Sequence, residues 1–255
     1  MITVISPAKS LDFESENQNQ HFTLAGFQKE SEQLVKVMRK KNPKAIGDLM
    51  NISDNLAELN YERFQNWAYP DNEETARPAI FAFKGDVYQG MQAENFSEDE
   101  IKFAQDNLRI LSGLHGLLKP LDLIHPYRLE MGTKVKVGKH ETLYSFWGDK
   151  INKRLSSDLE AGKSPILINL ASNEYFKATA PKKLKHEVIT PVFKENKGGK
   201  YKVVSFFAKK ARGMMASYII KNKLTEPEGI KGFTEDGYMF NNGLSSEKEW
   251  VFTRG

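Results

Sequence analysis

Hydrophobic and polar positions along the chain form two kinds of pattern, short apolar runs and apolar residues repeated at helical spacing. The apolar runs predict buried strands at 2–5, 79–83 and 165–170. The helical spacing predicts helices at about 24–39, from the cap Ser53 onward, at about 97–111, at 144–159 and at 209–224. Two hairpins are also expected, one joining 188–193 to 201–207 and one joining 238–240 to 250–252.

These elements alternate along the whole chain, and no repeat, low-complexity segment or linker separates them. Alternation of strands and helices is typical of α/β or α+β architecture. At 255 residues the chain has ample length for one packed core. We therefore expect a single compact domain over 1–255, with a mixed sheet surrounded by helices.

Composition is that of an ordinary globular protein, with 40% hydrophobic and 27% charged residues. No apolar run reaches the length of a membrane span, and residues 1–7 do not have the pattern of a signal peptide. We therefore expect a cytoplasmic protein without a membrane partner. The chain has no cysteine, which excludes disulfides, thiol catalysis and cysteine-ligated metal centres.

Charge is distributed unevenly. The formal net charge is only +4, but 172–223 holds 13 Lys and Arg against 3 Glu, a net of +10, while the remaining residues sum to −6. Such asymmetry favours a polyanionic partner, although a solvated lysine-rich surface gives the same count.

The segment 111–116 (LSGLHG) forms a glycine-framed turn after a predicted helix, which Ser97 and Glu100 begin as a capping box. Gly113 and Gly116 permit positive φ and a close approach of the backbone to another molecule. A helix, a glycine turn and a second helix would form a helix-hairpin-helix element, whose N–H groups bind phosphate without reading bases. An ordinary helix C-cap has the same pattern.

Polar side chains cluster after the predicted strands and in the irregular loop that follows residue 120. At strand ends of an α/β protein, such residues form ligand pockets, or else a buried ion-pair network that fixes loops. The candidate pocket residues are Ser6, Lys9, Lys84, Asp86, Tyr88, Tyr127, Arg128, Glu130, Asn169, Ser172, Glu174 and Tyr175.

Five segments in this order and spacing resemble the YaaA family of bacterial peroxide stress proteins: SPAK at 6–9, FKGDVY at 83–88, LSGLHG at 111–116, PYRLEM at 126–131 and NLASNEY at 169–175. The likeness extends from residue 2 to about residue 252. The resemblance implies a cytoplasmic protein of the peroxide response, linked to DNA protection and to lower free intracellular iron. It also implies an α/β fold with a basic cleft and a helix-hairpin-helix element, and binding of duplex or branched DNA.

Motifs for other chemistries are absent. The five histidines form no zinc or di-iron motif, so no metal site is expected. Neither a P-loop nor a Rossmann glycine motif occurs, so no cofactor is expected, and nothing identifies a nucleophile.

The leading hypothesis is a non-enzymatic protein that binds duplex or junction DNA through backbone contacts and without sequence preference. The alternatives are an enzyme or nucleotide-like small-molecule binder that uses the polar pocket, and an interaction protein whose basic surface meets an acidic partner. The candidate DNA-binding residues are Gly113, Leu114, His115, Gly116, Lys119, Lys182, Lys183, Lys209, Lys210 and Arg212.

Overall fold

An eight-stranded mixed β-sheet organises the fold in a computed structural model that describes residues 1–15, 21–69, 75–162 and 165–255. The strands are β1 (Ile2–Ile5), β2 (Ser10–Leu11), β3 (Arg77–Pro78), β4 (Phe83–Lys84), β5 (Leu108–Ser112), β6 (Gly116–Leu118), β7 (Leu123–Ile124), β8 (Ile166–Leu170), β9 (Glu187–Lys197), β10 (Lys200–Lys202), β11 (Met239–Phe240) and β12 (Glu249–Arg254). The helices are α1 (Gln28–Met38), α2 (Pro43–Met50), α3 (Asp54–Asn66), α4 (Ala79–Ala82), α5 (Asp86–Met91), α6 (Glu98–Asn107), α7 (Leu143–Trp147), α8 (Lys150–Ala161), α9 (Asn173–Phe176) and α10 (Ser205–Lys221).

The strand order in this sheet is β11-β12-β9-β8-β1-β5-β6, with β10 paired to β9. The five strands from β12 to β5 are mutually parallel, while β6, β10 and β11 pair antiparallel to their neighbours. Nearly every residue of β1, β5 and β8 is buried, which explains their continuous apolar runs, because a central parallel strand is covered on both faces.

The connections that leave β1 and β8 run in opposite directions across the sheet. From β1 the chain passes to β5 on one side, and from β8 it passes to β9 on the other. In an open α/β sheet, this reversal leaves a crevice beyond the carboxyl ends of the two strands, where ligands bind. The fold therefore marks the ends of β1 and β8, at Ile5 and Leu170, as the first place to search for a site.

The sheet and its surrounding helices share one hydrophobic core, which includes Ile5, Leu34, Phe64, Trp147 and Phe252. This arrangement confirms the predicted α/β class with a mixed sheet. Within the described residues, no helix is both long and apolar enough to cross a bilayer.

Several predicted elements are confirmed. The strands β1 and β8 lie where the apolar runs place them, and β11 pairs antiparallel with β12 as expected. The capping box also forms, because Ser97 accepts from the Glu100 N–H while the Glu100 carboxylate accepts from the Ser97 N–H. These elements were predictable because local patterning determines them.

Other predicted elements are wrong. The apolar run 79–83 forms the short helix α4 and the start of β4, since so short a run has no period that separates strand from helix. The predicted helix 144–159 is two helices, α7 and α8, broken at Gly148 with φ of 49°. In the predicted hairpin the second strand ends at Lys202, and α10 begins at Ser205, four residues before the helix start we expected.

The predicted helix-hairpin-helix element is also wrong. The helix α6 ends at Asn107, and the chain continues as β5, a tight turn and β6, which pair antiparallel from Ile110–Leu118 to Ser112–Gly116. The apolar residues Leu108 and Leu111, which continue the helical spacing, are buried within strand β5 instead. Sheet pairing with β1 therefore overrides the helical pattern after residue 107.

Candidate functional site

A cavity of about 500 Å³ lies beyond the carboxyl ends of β1 and β8, at the position that the strand order marks. Its size falls within the roughly 300–1,000 Å³ typical of small-molecule sites. Four segments that are distant in sequence form its walls: the loop after β1, the β4–α5 junction, the β8–α9 junction and one face of α10. The lining residues are Ser6, Pro7, Ala8, Lys9, Ser10, Lys84, Gly85, Asp86, Val87, Tyr88, Glu130, Leu170, Ser172, Glu174, Tyr175, Lys209 and Arg212.

Hydrogen bonds between the two strand ends hold the cavity floor. The Ser6 hydroxyl accepts from the Ser172 backbone N–H at 2.9 Å and lies 3.3 Å from the Ser172 hydroxyl. Tyr88 donates its hydroxyl to the Ser6 carbonyl at 3.2 Å, and burial raises the pKa of Tyr88 well above its ordinary value. These serines therefore fix the spacing of β1 and β8 where they meet the cavity.

A close helix crossing brings α10 to the cavity wall. A Cβ on Gly213 would lie 1.8 Å from the Val87 carbonyl oxygen, and one on Gly90 would lie 2.1 Å from the Lys210 carbonyl oxygen. Only glycine at both positions lets α5 and α10 touch through their backbones. Because residues three apart share a helix face, this contact aims Lys209 and Arg212 into the cavity together.

Three of the four basic side chains that line the cavity have carboxylate partners. Lys9 lies 2.8 Å from Glu130, Lys84 lies 3.1 Å from Asp12, and Lys209 lies 3.5 Å from Asp86. Asp86, Glu130 and Glu174 themselves line the wall. The cavity thus carries both signs of charge and is not the basic cleft that the resemblance implies.

Arg212 is the exception. It is half-buried, and it forms neither an ion pair nor a hydrogen bond with any residue in the part of the chain that the structure describes. Burial lowers the pKa of its guanidinium, because the surroundings disfavour the charged form. The five N–H donors of this guanidinium therefore line the wall without an acceptor among the described residues.

Another part of the cavity wall carries two carboxylates, Glu130 and Glu174, of which Glu130 is paired with Lys9 and Arg128. Glu174 accepts from the Gly132 N–H at 2.8 Å through one carboxylate oxygen. Tyr175 is adjacent, and its pKa is raised by burial and by its neighbours Tyr127, Glu174 and Glu130. Together Glu130, Glu174 and Tyr175 form what we call the acidic corner.

Nine of the twelve candidate pocket residues line this cavity, and Tyr127, Arg128 and Asn169 do not. Tyr127 is buried behind the cavity, with its hydroxyl 2.6 Å from that of Ser112. Arg128 contacts Glu130 at 3.1 Å from outside. Asn169 accepts from the Ala171 N–H and donates to Thr190, so its role is to shape the end of β8.

The predicted phosphate-binding turn is enclosed by the protein itself. Leu114 and His115 are at most 2% exposed. A Cβ on Gly113 would lie 2.2 Å from the Leu129 carbonyl oxygen, and Gly116, with φ of 69°, lies against the Trp147 ring. The His115 N–H donates to Ser112, the Leu117 N–H donates to the His115 carbonyl, and Trp147 donates to the Gly113 carbonyl. A phosphate cannot approach this backbone while the fold is intact.

His115 is a core residue. Its Nδ1 lies 3.2 Å from the Ser31 hydroxyl, and its ring packs edge-on against Tyr127. Burial lowers the pKa of His115 to about 3, so the ring is neutral at physiological pH.

The remaining DNA-binding candidates are dispersed. Lys119 is half-buried beside a separate cavity of about 120 Å³. Lys182 and Lys183 are exposed on a 3-10 turn, where Lys183 pairs with Asp149 at 2.8 Å. Lys210 is exposed and lines a groove between α5 and α10 that is distinct from the strand-end cavity. Only Lys209 and Arg212, which we assigned to a DNA surface, belong to the strand-end cavity.

The sequence interpretation therefore assigned Lys209 and Arg212 to a DNA surface, whereas the fold places them in one cavity with the candidate pocket residues. A glycine inside a helical pattern, as at Gly213, indicates close packing and is the one signal that would have placed α10 against another element. No group of three or more His, Asp or Glu side chains positioned to hold a metal ion occurs among the described residues.

Comparison with known proteins gives a consistent assignment. The family model described as peroxide stress protein YaaA matches residues 1–244. The chain is 51% identical over 254 residues to a UPF0246 protein of Cellvibrio japonicus (strain Ueda107), an alignment covering 100% of this chain and 98% of that protein. It is 53% identical over 254 residues to a UPF0246 protein of Aliivibrio fischeri (strain MJ11), with 100% and 98% covered. A UPF0246 protein of Saccharophagus degradans is 52% identical, with 100% and 99% covered. The chain belongs to the YaaA family of peroxide stress proteins.

Proposed function

We propose that this chain serves the peroxide stress response by binding a small anionic molecule in the strand-end cavity. The observation that carries the proposal is Arg212, a half-buried guanidinium without a protein partner among the described residues, in the wall of a cavity of about 500 Å³. The lower free iron and the DNA protection that the resemblance implies are, in this proposal, downstream consequences of ligand binding.

A buried charge costs free energy unless another group satisfies it, and here the protein supplies none from the described residues. Phosphate and carboxylate are the matching groups, since each accepts two parallel N–H bonds from a guanidinium. Lys209 adds a second cation to the same wall. Its ion pair with Asp86 is long at 3.5 Å and its side chain is 51% exposed, so the ammonium group is available to a ligand. A dianionic ligand between Arg212 and Lys209 would therefore satisfy both cations.

The test is calorimetric titration of the full chain with inorganic phosphate and with pyrophosphate at low ionic strength. Arg212→Gln removes the charge, and Lys210→Gln is the matched control, because Lys210 is the exposed cation of the same helix that faces another groove. We expect binding to the parent chain and to Lys210→Gln, and at least tenfold weaker binding to Arg212→Gln. Equal affinity in all three, or no binding to the parent, contradicts the proposal.

Binding of duplex or branched DNA is a second candidate function, and it is favoured by the distribution of charge. Residues 172–223 carry a net charge of +10, and Lys182, Lys183 and Lys210 are exposed. Because the glycine turn at 111–116 is enclosed, we propose that any DNA contact is made by lysine side chains rather than by that backbone. Affinity should then fall steeply with salt, by about 0.9 in log units per phosphate neutralised.

Mutation of the exposed lysines distinguishes DNA binding from ligand binding in the cavity. Lys182→Gln, Lys183→Gln and Lys210→Gln combined should weaken duplex binding and reduce its salt dependence, measured by fluorescence anisotropy, without changing phosphate titration in the cavity. Salt-insensitive DNA affinity, or an unchanged salt slope in the triple variant, would argue against the lysine surface.

A further inference from the structure

The acidic corner indicates which functional group the ligand has in addition to its anionic group. One Glu174 oxygen is held by the Gly132 N–H at 2.8 Å, while its other oxygen has no donor among the described residues. The Tyr175 hydroxyl accepts a hydrogen bond from the Met131 backbone, while its own proton has no acceptor in the described part of the chain, although the residue lines the cavity. A free acceptor and a free donor therefore stand side by side, on residues adjacent in sequence.

This pairing suits hydroxyl groups. A hydroxyl donates one hydrogen bond and accepts others, so it can satisfy both a carboxylate oxygen and a phenol. An ammonium group only donates, so it would leave the phenol proton without an acceptor. The neighbouring wall is apolar or aromatic at Leu170, Val87 and Tyr88, which suits the C–H faces of a sugar ring more than a second anion.

The cavity is also too large for a phosphate alone. Arg212 and Lys209 approach it from α10, whereas the acidic corner is formed by the β8–α9 junction and the 130–132 loop. One ligand that reaches both must therefore have an anionic end and an uncharged, hydroxyl-bearing end.

From these features we infer that the cavity binds a phosphorylated sugar, with its phosphate at Arg212 and a ring hydroxyl between Glu174 and Tyr175. This inference rests on the proposed function and narrows its ligand to one chemical class. Glu174 is in this account a specificity residue, because it discriminates a sugar phosphate from phosphate itself.

The test compares ribose 5-phosphate, inorganic phosphate and phosphoethanolamine by calorimetry on the parent chain and on Glu174→Gln. Glutamine keeps the oxygen that accepts from the Gly132 N–H and replaces the free oxygen with a donor, so the fold is retained. Lys210→Gln is again the control, because its side chain lies in a different groove.

We expect ribose 5-phosphate to bind the parent chain at least tenfold more tightly than phosphate, and we expect Glu174→Gln to abolish that advantage while leaving phosphate affinity unchanged. If ribose 5-phosphate binds no more tightly than phosphate, the sugar inference is wrong while the anion site stands. If phosphoethanolamine gains the same advantage through Glu174, the corner recognises an amine and the inference is equally wrong. If no phosphate compound binds the parent chain, the proposed function itself fails.

Discussion

The glycine turn at 111–116 and the strand-end cavity both depend on close backbone approach at glycine, and they differ in what lies beside those glycines. At the turn, the Leu129 carbonyl and the Trp147 ring occupy the space that the glycines leave. Beside the cavity, Gly90 and Gly213 lie between α5 and α10. The close contact of these helices places Lys209 and Arg212 in the cavity wall. Close approach at glycine is therefore used once to close the core and once to build a site.

The largest effect is expected from breaking the enclosed turn. Gly113→Ala places a Cβ 2.2 Å from the Leu129 carbonyl oxygen, so we expect a loss of at least about 3 kcal/mol in the free energy of unfolding, measured by urea denaturation. Gly138→Ala is the control. Gly138 also has positive φ, at 58°, but nothing lies within 4 Å, so about 1 kcal/mol is expected. A stable Gly113→Ala variant that has lost only DNA affinity would restore the phosphate-binding interpretation.

Although the Gly213 clash is the tighter one, breaking the helix crossing should cost less stability, because two packed helices can move apart where the enclosed turn cannot, and the change should reach the cavity. In Gly213→Ala the new Cβ meets the Val87 carbonyl, and we expect a loss of about 2 to 3 kcal/mol together with weaker phosphate binding as α10 moves outward. Gly232→Ala, where the nearest atom is the Tyr218 side-chain hydroxyl, serves as control in the same denaturation and calorimetric experiments. Unchanged phosphate affinity in Gly213→Ala would show that the crossing does not position Arg212.

Burial of His115 in the turn should be measurable as a pH dependence of the free energy of unfolding. Its pKa is about 3 in the folded chain and near 6.5 when unfolded, so the unfolded chain binds the extra proton between these values. Stability should therefore fall as pH drops from 6.5 toward 3, by up to about 1.4 kcal/mol per pH unit from this residue. His115→Phe should flatten the dependence over that window in denaturation curves collected at several pH values. An identical slope in the variant would mean that His115 is accessible to protons in the folded state.

The smallest effect is expected at the cavity mouth. Lys9 is 63% exposed in its contact with Glu130, which keeps its contact with Arg128 when Lys9 is removed. Lys9→Ala should change the free energy of unfolding by less than about 1 kcal/mol, as is usual for exposed ion pairs. A loss of several kcal/mol, measured by denaturation, would support the buried ion-pair network that the sequence left open.

Sequence patterns correctly predicted those elements whose structure depends mainly on neighbouring residues. The buried strands at 2–5 and 165–170 and the Ser97–Glu100 capping box follow from apolar runs and cap residues that neighbouring segments do not override. The helix expected beyond Asn107 failed because pairing of β5 with β1, a contact between residues over 100 positions apart, determines that segment.

Prediction of the site was limited in the same way. Polar residues after β1, β4 and β8 were recognised because strand ends converge in α/β folds. The contribution of Arg212 depends on the crossing of α5 and α10, which two glycines permit and no local pattern specifies. Its missing partner is a property of the assembled cavity, and only the structure displays it.

The most direct test of the central claim is peroxide survival of cells in which the chain is replaced by Arg212→Gln or by Lys210→Gln, with folding of both variants checked by thermal denaturation. The account predicts that Arg212→Gln is folded, retains duplex DNA binding and loses protection, while Lys210→Gln protects as the parent does. Full protection by a folded Arg212→Gln variant that no longer binds phosphate would contradict it.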